Sequence, residues 1–181
     1  MQRAGAIVII LIIAVAAGAY LYFKKAPFST AFPEGVLFGT TTMGVVEAPD
    51  HSELYRNDHY RFSLYYPEML VLEEYDEGGD ARTLVFSDPE TGYGFQIFII
   101  PYAEDSVTSE RFRQDSPSGV FKEPLNVLID GAPATAFFSS NSIMGDTREV
   151  WIINGGYLYE VTTFKEFDDW FVPIMETWRF H

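Results

Sequence analysis

Thr147-Arg148-Glu149-Val150-Trp151-Ile152-Ile153-Asn154-Gly155-Gly156-Tyr157-Leu158-Tyr159-Glu160-Val161-Thr162-Thr163 decides the fold. Two runs rich in β-branched and aromatic residues flank an Asn-Gly-Gly turn, the signature of a β-hairpin. Its register is read from charge. A two-residue loop at Asn154-Gly155 would set Glu149 opposite Glu160, a like-charge pair costing roughly 0.2–1 kcal/mol. A three-residue loop instead sets Trp151 against Tyr159 and Glu149 against Val161, with Arg148 diagonal to Glu160. The three-residue loop is therefore expected, and it gathers Trp151, Ile153, Tyr157, Tyr159 and Val161 on one face, the core face.

Working outward, the period of two recurs. Tyr60, Phe62, Leu64 and Tyr66 alternate with Arg61, Ser63 and Tyr65 in a half-buried strand ended by Pro67. Met69 to Tyr75 reads as the next strand, and Glu77-Gly78-Gly79-Asp80 as a turn into Arg82 to Phe86. In Tyr93 to Ile100 only Gln96 is strongly polar, so that strand needs cover on both faces and belongs in the middle of a sheet. Asp130-Gly131 marks a second hairpin between Leu125 to Ile129 and Pro133 to Phe138. A helix is expected over 108–115, with Ser106 or Thr108 as its cap and Pro117 closing it. Another starts at Asp168-Asp169, where acidic residues favour the helix dipole and Pro173 falls early enough to be tolerated. Thr177-Trp178-Arg179-Phe180 returns as a last short strand. The fold class is α+β, an antiparallel sheet with few short helices.

The N-terminus reads differently. Ala4 to Phe23 carries no charge, lies between Arg3 and Lys24-Lys25, and is long enough to span a bilayer as a helix. Tyr20, Tyr22 and Phe23 followed by two lysines fit an interfacial belt with snorkelling cations. The competing reading is a signal peptide cut after Ala19, which would release a secreted protein. Residues 1–25 are thus an expected transmembrane anchor and 26–54 a linker rich in Pro, Gly and Thr, with a root-mean-square reach of about 30 Å. Within it, Gly35 to Val46 is apolar enough to add an edge strand. Residues 55–181 form the soluble domain, expected on the extracytoplasmic side because long C-terminal domains translocate largely regardless of flanking charge.

Composition narrows the function. Beyond residue 25 the chain keeps nine of the 12 basic residues and all 26 acidic ones, a formal −17 against −14 for the whole. Such a domain repels nucleic acid and anionic lipid. It contains no cysteine, so thiolate catalysis, disulfides and soft metal sites are excluded.

Tyr55-Arg56-Asn57-Asp58-His59-Tyr60-Arg61-Phe62-Ser63-Leu64-Tyr65-Tyr66-Pro67 resembles the opening strand of PsbP-like domains, an aromatic-Ser-aliphatic strand ending at Tyr-Pro. Trp151 to Val161, followed by a short helix and Thr177-Trp178-Arg179-Phe180, is similar to how those domains close. The resemblance covers residues 55–181. It implies an α/β/α sandwich around an antiparallel sheet, in a family best known for photosystem II accessory proteins and found also in bacterial envelope proteins. Its members act mostly as binding or assembly factors rather than enzymes. The chain departs from the pattern in its few, short helices and its N-terminal anchor.

No motif in the sequence assembles a catalytic centre. His51, His59 and His181 form no HxxxH or HExxH spacing, and read as surface histidines. Ser139, Ser140 and Ser142, read as loop residues, lack a Gly-x-Ser-x-Gly elbow. One acidic cluster, Glu73, Glu74, Asp76, Glu77 and Asp80 around Gly78-Gly79, offers hard oxygen ligands for Ca2+, though without the spacing of a calcium loop. Tyr55, Tyr65, Tyr93 and Tyr102, near strand ends or on a polar strand face, are candidates for stacking against a partner protein. The expected function is that of a non-enzymatic, membrane-tethered extracytoplasmic domain that binds another envelope or membrane protein. Alternatives are a small-ligand or calcium-binding module and a hydrolase assembled from distant strands.

Overall fold

The computed structural model describes residues 48–92, 94–116, 118–141 and 145–181. The anchor expected at 4–23, the edge strand expected at Gly35 to Val46, Tyr93, Pro117 and Ser142 lie outside them. Among the described residues no helix is long and apolar enough to cross a membrane.

Among the described residues ten strands build two antiparallel sheets. β3 (Val71–Gly78), β4 (Ala81–Ser87), β5 (Gly94–Pro101), β6 (Lys122–Ile129), β7 (Ala132–Asn141), β8 (Gly145–Asn154) and β9 (Tyr157–Phe164) form a seven-stranded sheet in the order β3-β4-β5-β9-β8-β7-β6. β1 (Ser52–Asn57), β2 (Phe62–Pro67) and β10 (Arg179–Phe180) form a three-stranded sheet in the order β1-β2-β10. Among the described residues two short α-helices, α1 (Ser109–Asp115) and α2 (Asp168–Glu176), and a 3-10 turn at Lys165–Phe167 join the sheets. β5, the strand expected in the middle, is paired on both sides, by β4 and β9. The sandwich that the resemblance implies is light in helix here, since much of one outer layer is the three-stranded sheet.

β1 begins at Ser52, inside the stretch read as linker. Only Tyr55 in Ser52–Asn57 is buried, so no alternating pattern announces a strand. What holds it is pairing with β2, from Ser52↔Pro67 to Asn57↔Phe62.

The β8–β9 hairpin corrects the expected register. Asn154 pairs with Tyr157, leaving a two-residue Gly155-Gly156 loop, with Trp151 opposite Glu160 and Glu149 opposite Thr162. Both loop residues have positive φ, 60° and 86°, as a type I′ turn demands at its two central positions, and a glycine pair meets that demand without strain. This register also avoids the Glu149–Glu160 clash. Trp151 and Ile153 therefore face away from Tyr157, Tyr159 and Val161, and the single core face expected for all five is split between the two sides of the sheet.

The two faces are unlike. Towards β1-β2-β10 and α2 lies the main core, where Phe62, Leu64, Leu84, Phe86, Ile97, Tyr159, Phe171 and Trp178 pack together. Trp178 stacks on Phe62 with centroids 4.4 Å apart. Arg148, which the three-residue loop would have set diagonal to Glu160, is on this side, bound to Asp168 of α2 by two hydrogen bonds of 2.6 and 2.9 Å. The other face carries a smaller cluster, Ile100, Phe137, Trp151 and Leu158, covered by Phe112 of α1. α1 is capped as the sequence predicts, with the Thr108 side chain accepting from Arg111 N.

Candidate functional site

The acidic cluster does not converge. Glu73, Glu74, Asp76 and Glu77 lie along β3, where neighbours point to opposite faces. Each of several carboxylates is engaged locally. Glu74 accepts from Arg82 at 3.5 Å, Glu77 from the Thr83 hydroxyl at 2.8 Å and Asp76 from Gly78 N at 2.8 Å. Asp80, in the following turn, binds His59 at 2.7 Å and the Tyr157 hydroxyl at 2.7 Å. Those two bonds, Tyr157's first, hold the Asp80 carboxyl below its usual range, and the same bond lifts the Tyr157 phenol to about 12. Among the described residues no group of three His, Asp or Glu side chains is placed to hold a metal ion.

The tyrosines divide as well. Tyr55, expected near the surface, is 8% exposed and packs on Phe62 and Phe86. Burial raises its phenol to about 12, and the hydroxyl reaches Glu74 and Asn57. Tyr65 is half-buried. So is Tyr102, whose hydroxyl donates to Ser106 O and accepts from Thr108 N, so it fixes the loop that leads into α1. Ser139 and Ser140, read as loop residues, belong to β7; Ser139 is buried, 3.4 Å from the Ser116 hydroxyl.

Beneath α1 the sheet buries acid. On the same face as Trp151, Glu149 accepts from the hydroxyls of Thr147 and Thr162, each at 2.7 Å. Burial pushes its carboxyl up to about 7. Glu160, one row on, is driven well above the usual carboxylate range by burial and by the adjacent Asp115 carboxyl. Arg111 is the counter-charge, paired with Asp115 and 3.9 Å from Glu160. The helix closes over this group, leaving Glu160 only 6% exposed. Its chemistry is that of a clamp on α1.

Beside α1 the same face opens. A groove of about 500 Å³ runs between the Asp105–Val107 loop and the β6–β7 end of the sheet, lined by Val107, Leu128, Pro133, Trp151 and Ile153 with Asp105 at its rim. The register explains its floor. Trp151, Thr135 and Asn126 are successive cross-strand neighbours on β8, β7 and β6. Asp105 is the groove's single charged lining residue. The groove meets the edge of β6, unpaired among the described residues, where Leu125 and Leu128 are each 53% exposed. Leu125 to Ile129 offers no charged or aromatic marker that would single the region out. The usable signal was this lack.

No family model matches the chain, and no curated protein matches it. Among solved structures it is similar to the solution structure of cyanobacterial PsbP (CyanoP) from Synechocystis sp. PCC 6803, with a TM-score of 0.52 at 13% identity. The match covers 78% of this chain and 99% of that one. The fold is thus PsbP-like, as the strand and hairpin residues imply.

Proposed function

We propose that the chain is a non-enzymatic, membrane-tethered domain that works on the extracytoplasmic side and binds another membrane or envelope protein. The observation that carries the reading is the open groove beside the uncharged Leu125 to Ile129 stretch of the sheet edge, with Leu128 on the groove side and Leu125 on the opposite side both held out to water. An apolar groove beside a strand that is unpaired among the described residues favours protein association over a free, soluble existence. The apolar run at residues 4–23 supports the tether, and the PsbP-like fold supports a binding or assembly role. In-cell cross-linking of the full-length chain followed by mass spectrometry tests it. One reproducible, stoichiometric partner is expected; a monomer with no partner would overturn the reading.

A further inference from the structure

The two edges of the seven-stranded sheet are prepared differently. β3 carries Glu73, Glu74, Asp76 and Glu77, and its register with β4 shifts between Asp76 and Gly78. Edge charges and bulges both discourage the addition of another strand. On β6 the irregularity is confined to Lys122–Leu125, and Leu125 to Ile129 runs in unbroken register from Leu125↔Ala136 to Ile129↔Ala132 without a charged residue. Among the described residues, one side of that backbone has no strand beside it. Edges left in this state accept an extended segment, with main-chain hydrogen bonds giving affinity and pockets for alternate side chains giving specificity.

We infer that β6 receives an extended segment of a partner protein, paired antiparallel along Leu125 to Ile129, which sets an apolar side chain in the groove and a Lys or Arg at its rim. The inference rests on the protein-binding reading above and names its surface and occupant. The paired stretch is about 17 Å long, so two alternate side chains face the groove. Val107, Leu128, Pro133, Trp151 and Ile153 provide the apolar contact. The cationic flank follows from charge: Asp105 stands at the rim next to Glu104, the lining holds no cation, and the chain as a whole carries −14. The same charge opposes the competing occupant, a second copy pairing β6 to β6.

The test is panning of a random octapeptide library against the full-length chain, followed by titration of the enriched peptide. Enrichment of alternating apolar residues flanked by Lys or Arg is expected, with the peptide perturbing the amides of Leu125 to Ile129. Leu128→Lys, at an exposed position, should weaken binding at least tenfold and Asp105→Lys about threefold; exchanging the peptide's Lys for Glu should abolish it. No enrichment, perturbation centred on β3, or affinity unchanged in both variants would overturn the inference, as would peptide-free dimerisation that Leu128→Lys abolishes. Failure here is distinguishable from failure of the broader reading: a cross-linked partner that Leu128→Lys retains leaves protein binding standing and removes β6 as its site.

Discussion

One face of the seven-stranded sheet is an aromatic core and the other is a half-covered surface with acid beneath a single helix turn or two. The first buries Phe62, Phe86, Tyr159, Phe171 and Trp178 under a second sheet and α2. The second buries a small cluster under Phe112, encloses Glu160 and half-buries Glu149. The first face supplies the free energy of folding. The second gives some of it up, since burying carboxyl groups is costly, and in exchange holds an open groove against an exposed edge.

The sharpest way to break this contrast is to cut into each face and compare. Trp178→Ala removes a fully buried ring stacked on Phe62 and should cost about 3–5 kcal/mol in urea unfolding. A loss under about 1 kcal/mol would remove the claim that this face carries the stability.

Titration separates the faces next. Glu149 has its carboxyl raised to about 7 by burial, while the unfolded chain loses that proton near the usual value of about 4.3. Between those values the native state holds a proton that the unfolded state has lost, so stability is greatest below the lower one and falls as pH rises towards and through 7. The loss from this group is on the order of 3 kcal/mol between pH 4 and pH 8. Glu160 acts in the same direction. Glu149→Gln should therefore reduce, not abolish, the slope measured by urea unfolding at both pH values; an unchanged slope would place Glu149 in contact with water.

Phe112→Ala probes the cover itself. Phe112 is half-buried on a seven-residue helix, so the expected loss is about 1–2 kcal/mol, below the range for a full core aromatic. Faster hydrogen exchange should accompany it over residues 108–116. Exchange that rises equally across β2 and α2 would show that the two faces do not unfold separately.

Leu128→Lys should have the smallest effect on folding, within about 0.5 kcal/mol, because the residue is largely exposed. Its effect belongs to binding. A loss of 2 kcal/mol in stability would mean that Leu128 serves the core.

The sequence and the structure agree where local chemistry settles conformation. The Asp130-Gly131 hairpin, the Thr108 cap and the short return strand at Arg179–Phe180 all follow from residues within a few positions of each other. They part where a choice is made at long range. Trp151 and Tyr159 read as face-mates because a three-residue loop keeps Glu149 away from Glu160, yet the Gly155-Gly156 turn does the same in another register and turns them to opposite sides. Tyr55 read as a surface aromatic because it lies near a strand end; its burial depends on Phe62 and Phe86, from two other strands. The acidic run read as one cluster because its members are consecutive, while the alternation of β3 and partners such as Arg82, Thr83 and His59 disperse them. The groove joins the loop before α1 to β6, β7 and β8, so only the assembled sheet reveals it.

The central claim is that the α1-bearing face and the β6 edge are where a partner sits. Site-specific photo-cross-linking of the full-length chain in its own membrane, with the reactive residue at Leu128 in one sample and at Glu73 in another, measures it most directly. The account predicts one partner joined through Leu128 and none through Glu73. The same partner joined through Glu73 alone would contradict it.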